Sequence, residues 1–242
     1  MQKPTVTRET QSLLELTEAL RTKKGRIQES VFSWAGSNIA RYPWRRIGST
    51  PYEALIGEIL IEKTTYAVAT RVYSSFLLHF PSFSALVEAN EDELARALDF
   101  SYLKRHGTFI RSVIQDLLNK GIAGVPKDSY ALRALGLQAH NVNAIMCFGY
   151  GLHLAVIDSN VSRMLSRIFR NNLPSRPSRG LIEAMGETLL PDFNAAQYNA
   201  SLLDLAEQIC RFARPLCVQC LVPDVCDHAS ANVEMPSMDS KS

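Results

Sequence analysis

Long apolar runs are missing from this sequence. No stretch of about 18 uncharged apolar residues occurs, and a membrane-spanning helix needs a stretch of that length. The first residues, MQKPTVTRETQ, also lack the apolar core of a signal peptide. These absences argue against a membrane protein and a secreted protein, and they predict a cytoplasmic chain in a reducing compartment.

A strong excess of one charge is also missing. The 26 Lys and Arg residues nearly balance the 24 Asp and Glu residues, so the net charge of +2 says little about a nucleic-acid partner. Local basic groups are more informative than this sum, although solvated helix faces would also produce them. These groups are Arg41, Arg45 and Arg46; Lys104, Arg105 and Arg111; and Arg163, Arg167 and Arg170.

Strand-like alternation with hairpin turns is absent, whereas apolar residues recur with a helical period almost everywhere. We therefore expect an all-α fold. Thr50, Pro51 and Glu53 form the pattern of a capping box, which predicts a helix start at Pro51. Further helices are expected at about 66–80, 90–99, 104–119, 129–135, 139–149, 159–170, 180–190 and 195–210. Residues 1–19 and 227–242 are expected to be loosely ordered tails.

Four of the five cysteines lie close together near the end of the chain. Cys210, Cys217, Cys220 and Cys226 have the spacing C-x6-C-x2-C-x5-C, which can wrap one soft-metal centre. Disulfides are disfavoured, because the chain is not expected to be secreted and its cysteine count is odd. Spacing alone leaves zinc and an iron-sulphur cluster open. Cys147 stands apart in an apolar helical segment and is expected to be a buried core thiol.

The cysteine spacing at the end of an all-helical chain resembles the endonuclease III and adenine glycosylase superfamily of DNA glycosylases. Its amino-terminal motifs match Pro43-Trp44-Arg45, Pro51-Tyr52, Glu58-Ile59-Leu60 and Thr64-Thr65. Residues 134–165 resemble its helix-hairpin-helix and the aspartate segment that follows. The Glu-Ile-Leu pattern around residues 58–65 is most similar to the G:T mismatch thymine glycosylases, although Glu62 stands where a basic residue or glutamine is usual. The resemblance implies a [4Fe-4S] cluster on the four cysteines, with zinc as the alternative.

The resemblance also implies catalytic roles for two carboxylates. Asp158 matches the catalytic aspartate, and a carboxylate near the sugar would stabilise the oxocarbenium character that develops when the base leaves. Asp158 also precedes a helical stripe, so it is expected to cap a helix. Glu58 matches a glutamate that lines the base pocket and is proposed to act as a general acid there. Helical spacing puts Glu58 beside the stripe of Leu55, Ile59 and Leu60, where a solvated glutamate is the alternative.

His140 occupies the position at which bifunctional members carry the attacking lysine. Histidine has no primary amine and cannot form the Schiff base of a lyase, so a monofunctional enzyme is expected. His140 could contact the sugar or simply lie on a helix surface.

Contacts with DNA are expected at the hairpin and at a wedge that fills the gap left by a flipped base. The hairpin keeps Gly136 of the family's glycine pair but has Gln138 in place of the second one, and Asn141 follows as a third candidate. A purely structural helix-turn-helix is the alternative. Lys63 and Tyr102, the latter within Ser101–Leu103, are the wedge candidates, and Tyr102 could equally be core.

These inferences together predict a two-lobed glycosylase. A helical barrel domain at 42–152, with its hairpin at about 129–149, would face a cluster domain built from 20–41 and 153–226, and the cleft would hold both carboxylates and His140. The expected function is removal of thymine or uracil opposite guanine from double-stranded DNA by a monomer, nucleoid-associated in a prokaryote. The alternatives are an adenine glycosylase, disfavoured because the chain ends soon after Cys226, and a non-catalytic DNA-binding paralogue.

Overall fold

The computed structural model describes residues 8–37, 42–62, 64–97 and 104–232. The predicted wedge residues Lys63 and Tyr102 lie outside these ranges. Within them, no residue belongs to a β-strand, so the prediction of an all-α fold is confirmed. None of the helices in the described part of the chain is long and apolar enough to cross a membrane.

Twelve α-helices occur in the described residues. They are α1 (Arg8–Ser37), α2 (Pro51–Ile61), α3 (Tyr66–His79), α4 (Phe83–Val87), α5 (Glu91–Ala97), α6 (Lys104–Asn119), α7 (Ser129–Ala134), α8 (Ala139–Ala144), α9 (Ser159–Ile168), α10 (Arg179–Leu189), α11 (Ala195–Gln208) and α12 (Asp227–Asn232).

The predicted capping box is confirmed at the start of α2. The backbone N–H of Glu53 donates to Thr50 Oγ1 at 3.2 Å, and the backbone N–H of Thr50 donates to Glu53 Oε2 at 2.6 Å. Two of the backbone donors that this helix start leaves without a partner are thereby satisfied. Side chains also cap α4, α7, α9 and α10, through Ser82, Asp128, Asp158 and Ser178.

The contacts divide the chain into two compact units. The first contains the described residues of Met1–Ile39 and Ile157–Ser242, and the second those of Ala40–Val156. In the first unit, α1 packs on α10 and α11, and α9 packs on α10, α11 and α12. In the second, α2 is central and contacts α3, α6 and α8.

The expectation of loosely ordered tails was wrong for much of their length. Residues 8–37 form one helix of 30 residues, and residues 227–232 form another short helix. Within α1, Leu16, Leu20, Ile27 and Val31 are buried. These residues are spaced along one face of α1, and their burial against the unit stabilises a start that is polar in sequence.

Two glycines let elements of the second unit approach α2 closely. A Cβ added to Gly57 would lie 2.0 Å from Cγ of the fully buried Trp44. A Cβ added to Gly149 would lie 2.6 Å from Cα of Pro51 at the start of α2. Glycine is therefore required at both positions by the space available, because real atoms do not approach this closely.

The predicted helix-hairpin-helix is formed by α7, a turn and α8. Gly136 in the turn has φ of +86°, a left-handed conformation that glycine adopts at little cost. A π-helical turn, Ile145–Gly149, continues α8 and contacts α2. Cys147 lies in this turn and is fully buried, as expected for a core thiol.

Candidate active site and metal centre

Asp158 lies at the N-cap of α9 in the first unit, and its side chain is partly buried. Its Oδ1 accepts a hydrogen bond from the backbone N–H of Val161 at 2.8 Å. Its Oδ2 accepts one from the side-chain amide of Asn160 at 3.3 Å. The positive end of the helix dipole favours an anion at this position, so these contacts orient a carboxylate.

A chain of hydrogen bonds runs from Asp158 to the first cysteine of the loop. Asn160, which donates to Asp158, accepts from Nη1 of Arg163 at 2.9 Å. The same guanidinium donates through Nε to the carbonyl of Cys210 at 2.9 Å and through Nη2 to the carbonyl of Ala206 at 2.9 Å. Arg163 therefore links the orientation of the Asp158 carboxylate to the position of Cys210.

Arg167, one turn further along α9, holds the beginning of the cysteine loop. It donates to Cys210 Sγ at 3.3 Å and to the carbonyls of Arg211 and Phe212 at 2.7 Å and 2.9 Å. Three successive residues of the loop are thus bound to one side chain.

The far end of the loop is tied to α1. Lys23 forms an ion pair with Asp227 at 2.5 Å, and Arg26 forms one with Asp224 at 2.8 Å. Ser30 Oγ donates to the carbonyl of Leu221 at 2.8 Å. The long helix α1 therefore anchors the cysteine loop through residues of the segment 20–41.

Cys210, Cys217, Cys220 and Cys226 line one cavity. Cys210, Cys217 and Cys220 are partly exposed, and Cys226 is buried. Among the described residues, no three Cys, His, Asp or Glu side chains are arranged to hold one metal ion together. The loop thus gathers four sulphur ligands around one cavity without grouping them about a single point.

Burial raises the pKa of the Cys217 and Cys226 thiols above their usual range, and neighbouring thiols add to the rise. Burial likewise raises the pKa of Cys220 to about 11. Any metal that these thiols bind must displace their protons.

Glu58 is buried in the second unit, with 1% of its surface exposed. Its Oε1 accepts from Nε of Arg45 at 2.7 Å and from the indole N–H of Trp44 at 3.0 Å, and its Oε2 accepts from Nη2 of Arg45 at 3.1 Å. The guanidinium of Arg45 also lies over the ring of Tyr42, at 4.5 Å from its centroid. Both oxygens of Glu58 thus act as acceptors within a buried ion pair.

The solvated position that helical spacing left open for Glu58 is wrong, because its side chain is buried. All residues from Ala54 to Leu60 are buried, so α2 has no exposed face over this stretch. Helical spacing locates an exposed side chain only on a helix that has an exposed side.

His140 lies on the first turn of α8 in the second unit and is partly exposed. Gln138 precedes it as the N-cap residue and is exposed, as is Gly136. Asn141, in contrast, is 1% exposed, and its amide donates to the backbone carbonyl of Glu58 at 3.3 Å. Because this side chain lies in the core, the DNA contact expected at Asn141 stays a prediction for its backbone only.

Four side chains of these sites were given no functional role in the sequence interpretation. Arg45 and Trp44 stood in a family motif, and their contacts with Glu58 join residues 13 and 14 positions apart. Asn160 and Arg163 are three residues apart on one helix, which a search for helical i, i+3 pairs would have found.

The described fold is that of the helix-hairpin-helix DNA glycosylases. A thermostable thymine-DNA glycosylase aligns with a TM-score of 0.77 at 23% identity, covering 88% of this chain and 99% of that one. A non-covalent endonuclease III–DNA complex aligns with a TM-score of 0.68 at 17% identity, covering 86% and 97%. These likenesses confirm the fold that the sequence resemblance implied.

Curated proteins that are similar to this chain are named as DNA glycosylases. The chain is 22% identical to the thymine/uracil-DNA glycosylase of Methanothermobacter thermautotrophicus, over 88% of this chain and 97% of that protein. It is 28% identical to the thymine-DNA glycosylase of Aeropyrum pernix, over 76% and 85%. The adenine DNA glycosylase of Mycolicibacterium smegmatis is 25% identical, but the match spans only 65% of its length. No family model matches the chain.

Proposed function

We propose that this chain is a DNA glycosylase of base-excision repair, which hydrolyses the N-glycosidic bond of thymine or uracil opposite guanine. The observation that carries the proposal is the carboxylate of Asp158, oriented at a helix start by two hydrogen bonds. The near full-length match to a thymine/uracil-DNA glycosylase supports this choice of base.

Asp158 supplies the negative charge that the reaction requires. As the bond between sugar and base breaks, positive charge develops on the sugar, and a fixed carboxylate stabilises it without reorganising. The donors Val161 and Asn160 hold both oxygens, so the side chain keeps its direction during the reaction. The helix cap and the catalytic role are therefore compatible.

The enzyme is monofunctional in this proposal. His140, at the lysine position of bifunctional relatives, cannot form a Schiff base with the sugar. The product is an abasic site in an otherwise intact strand.

Glu58 acts on the side of the base, and its role depends on Arg45. With three N–H groups directed at its oxygens, the carboxylate is a rigid acceptor rather than a proton donor. A role as general acid requires this arrangement to change when DNA binds.

We propose that the four cysteines hold a [4Fe-4S] cluster. A cluster takes one thiolate at each iron, whereas a zinc ion needs all four sulphurs at about 2.3 Å from one point. The four cysteines line one cavity, and the superfamily resemblance of the sequence favours the cluster over zinc. In this proposal the cluster would take no redox part in base removal. It would hold the cysteine loop, and because Arg163 binds this loop, it would also hold the first turn of α9 in place.

Gly136 and Gln138 are the proposed contacts with the DNA backbone, because both are exposed at the hairpin turn. The wedge formed by Lys63 or Tyr102, the domain boundaries at 42–152, 20–41 and 153–226, and the monomeric state stay predictions.

Adenine removal is the second candidate function. It is favoured by the glutamate at position 58 and by the 25% identity to an adenine DNA glycosylase. A non-catalytic DNA-binding paralogue is the alternative of another class.

Single-turnover incubation with duplexes carrying G:T, G:U, A:G and oxidised pyrimidines, followed by alkali, distinguishes these functions. We expect strand cutting after alkali with G:T and G:U only. Cutting of the A:G duplex alone would support an adenine glycosylase. If no duplex is cut, the supported function is that of a non-catalytic DNA-binding paralogue. Cutting without alkali or heat would overturn the assignment of His140.

A further inference from the structure

Arg167, in the last turn of α9, lines the same cavity as the four cysteines. Its Nη1 donates a hydrogen bond to Cys210 Sγ at 3.3 Å. Burial raises the pKa of the Cys217 thiol, as does the neighbouring Cys210 thiol, and the positive charge of Arg167 opposes this rise. The charge of one guanidinium therefore acts on two of the four sulphurs.

The side chain of Arg167 is held in place by neutral groups. Its Nη1 also donates to the backbone carbonyls of Cys210 at 3.1 Å and Arg211 at 2.7 Å, and its Nη2 donates to that of Phe212 at 2.9 Å. Among the residues that the structure describes, no carboxylate forms an ion pair with Arg167. These bonds therefore fix the position of the guanidinium without cancelling its charge.

Two other cations that bind the end of the cysteine loop each have an ion-pair partner. Lys23 is paired with Asp227 at 2.5 Å, and Arg26 is paired with Asp224 at 2.8 Å. Of the described residues that line the cavity, Arg167 is the only arginine or lysine. Its guanidinium therefore supplies the permanent positive charge of this cavity.

A metal centre with four thiolate ligands needs such a charge. Each thiolate is negative, and neither a zinc ion nor a [4Fe-4S] core cancels all four charges, so the bound centre is an anion. Burying an anion without a partner charge is costly. Cys226 is buried and the other three cysteines are only partly exposed, so water solvates these sulphurs incompletely.

We propose that Arg167 is the counter-charge of the metal centre and stabilises the anion that the metal forms with its four thiolate ligands. The inference rests on the metal centre that is proposed for the four cysteines, and it applies to a [4Fe-4S] cluster and to zinc. For a cluster, the charge also affects oxidation. When the cluster gives one electron to an acceptor such as ferricyanide, the centre becomes less negative, so a neighbouring cation disfavours this step and raises the reduction potential.

A purely structural role for Arg167 is the alternative, because its planar fork also holds three successive residues of the loop. Lysine separates the two roles, since it keeps the charge but has no planar fork that binds several carbonyls at once. A counter-charge predicts that Arg167→Lys restores most of what Arg167→Met loses. A structural role predicts that the two variants behave alike.

The test measures two properties of the purified wild type and variants with their bound metal. The first is the rate of metal release to EDTA, which applies to iron and to zinc. The second, for a cluster, is the reduction potential from protein-film voltammetry. Arg167→Met should release metal about tenfold faster, as expected when a group that contacts a metal ligand is lost. Its potential should fall by about 59 mV, which corresponds to a tenfold change in the one-electron equilibrium.

Arg170→Met is the matched control. Arg170 is exposed, lies three residues beyond Arg167 and is not among the residues that line the cavity. The variant removes the same charge, but from a position that water and salt screen, so the release rate should change less than about threefold. Arg167→Lys should likewise stay within about threefold of the wild type.

If Arg167→Met and Arg170→Met release metal equally fast, or if Arg167→Lys is as defective as Arg167→Met, the counter-charge is wrong and the metal centre stands. If Arg167→Met does not fold, Arg167→Gln replaces it in the same comparisons, because its neutral amide still donates to a loop carbonyl. A wild type that binds neither iron nor zinc overturns the metal centre itself, and the counter-charge with it.

Discussion

The contact between Gly57 and Trp44 makes the arrangement around Glu58 sensitive to one methyl group. In Gly57→Ala, the new Cβ would lie 2.0 Å from Cγ and 2.1 Å from Cδ2 of Trp44. The ring is fully buried, and the rings of Tyr42 and Tyr73 lie 5.2 Å and 4.9 Å from it, so it has little room to move. To reach an ordinary contact distance, it must shift by about 1.5 Å.

The expected cost has two parts. Overpacking of a core typically costs about 1–3 kcal/mol. A shift of this size also lengthens the 3.0 Å bond from Trp44 to Glu58, leaving the buried carboxylate with one donor fewer. Losing a buried partner costs about 1–3 kcal/mol, so we expect a total of roughly 3 kcal/mol and a fall in Tm of about 6–12 °C.

Thermal and urea unfolding measure this loss, and Gly25→Ala is the matched control. Gly25 lies inside α1, where an added Cβ meets no atom within 4 Å. Alanine is the better helix former, so this variant should gain up to about 1 kcal/mol of stability. For a chain of this size, 1 kcal/mol corresponds to about 2–4 °C in Tm. If Gly57→Ala melts within 2 °C of the wild type, the close packing is refuted.

Three further outcomes follow from the described contacts. Glu58→Gln should destabilise the fold by about 3 kcal/mol in urea unfolding, because it leaves the buried cation of Arg45 without its partner. The double variant Glu58→Gln/Arg45→Met should lose less stability than this single variant. Losses that add in the double variant would argue against the ion pair. Arg163→Met removes three hydrogen bonds and should lower both Tm and the rate of thymine release. The control Arg179→Met, at an exposed residue, should change each only slightly. Equal effects of the two variants would argue against a link between Arg163 and Asp158. Cys220→Ser should abolish bound iron and visible absorption, whereas the control Cys147→Ser should retain both. Stoichiometric zinc without iron in the wild type would overturn the assignment of an iron-sulphur cluster.

Local patterns predicted much of the fold. The capping box at Thr50 and the helix over 104–119 depend on residues close in sequence, and both match the structure. The amino-terminal helix was missed because its stability depends on burial against α10 and α11 and on ion pairs such as Lys23 with Asp227, more than 200 residues away. Such contacts have no local signature.

The candidate site was less predictable than the fold. The position of Asp158 before a helical stripe indicated the cap that the structure contains, and its catalytic role is a proposal. The ion pair of Glu58 with Arg45 was not anticipated, because helical spacing says nothing about a helix that is buried on all sides. Gln138 Nε2 donates a hydrogen bond to Glu62 Oε1 across 76 residues of sequence, and neither residue alone predicts the other.

The most direct test of the account compares the wild type and Asp158→Asn on one G:T duplex under single-turnover conditions. Asparagine is also a good helix cap and keeps an acceptor oxygen for the Val161 N–H, so the variant removes the charge and little else. We predict that the wild type releases thymine, and that Asp158→Asn binds the duplex with similar affinity but releases thymine at least about a hundredfold more slowly. Equal rates in the two proteins, or a wild type that releases no thymine, would contradict the account.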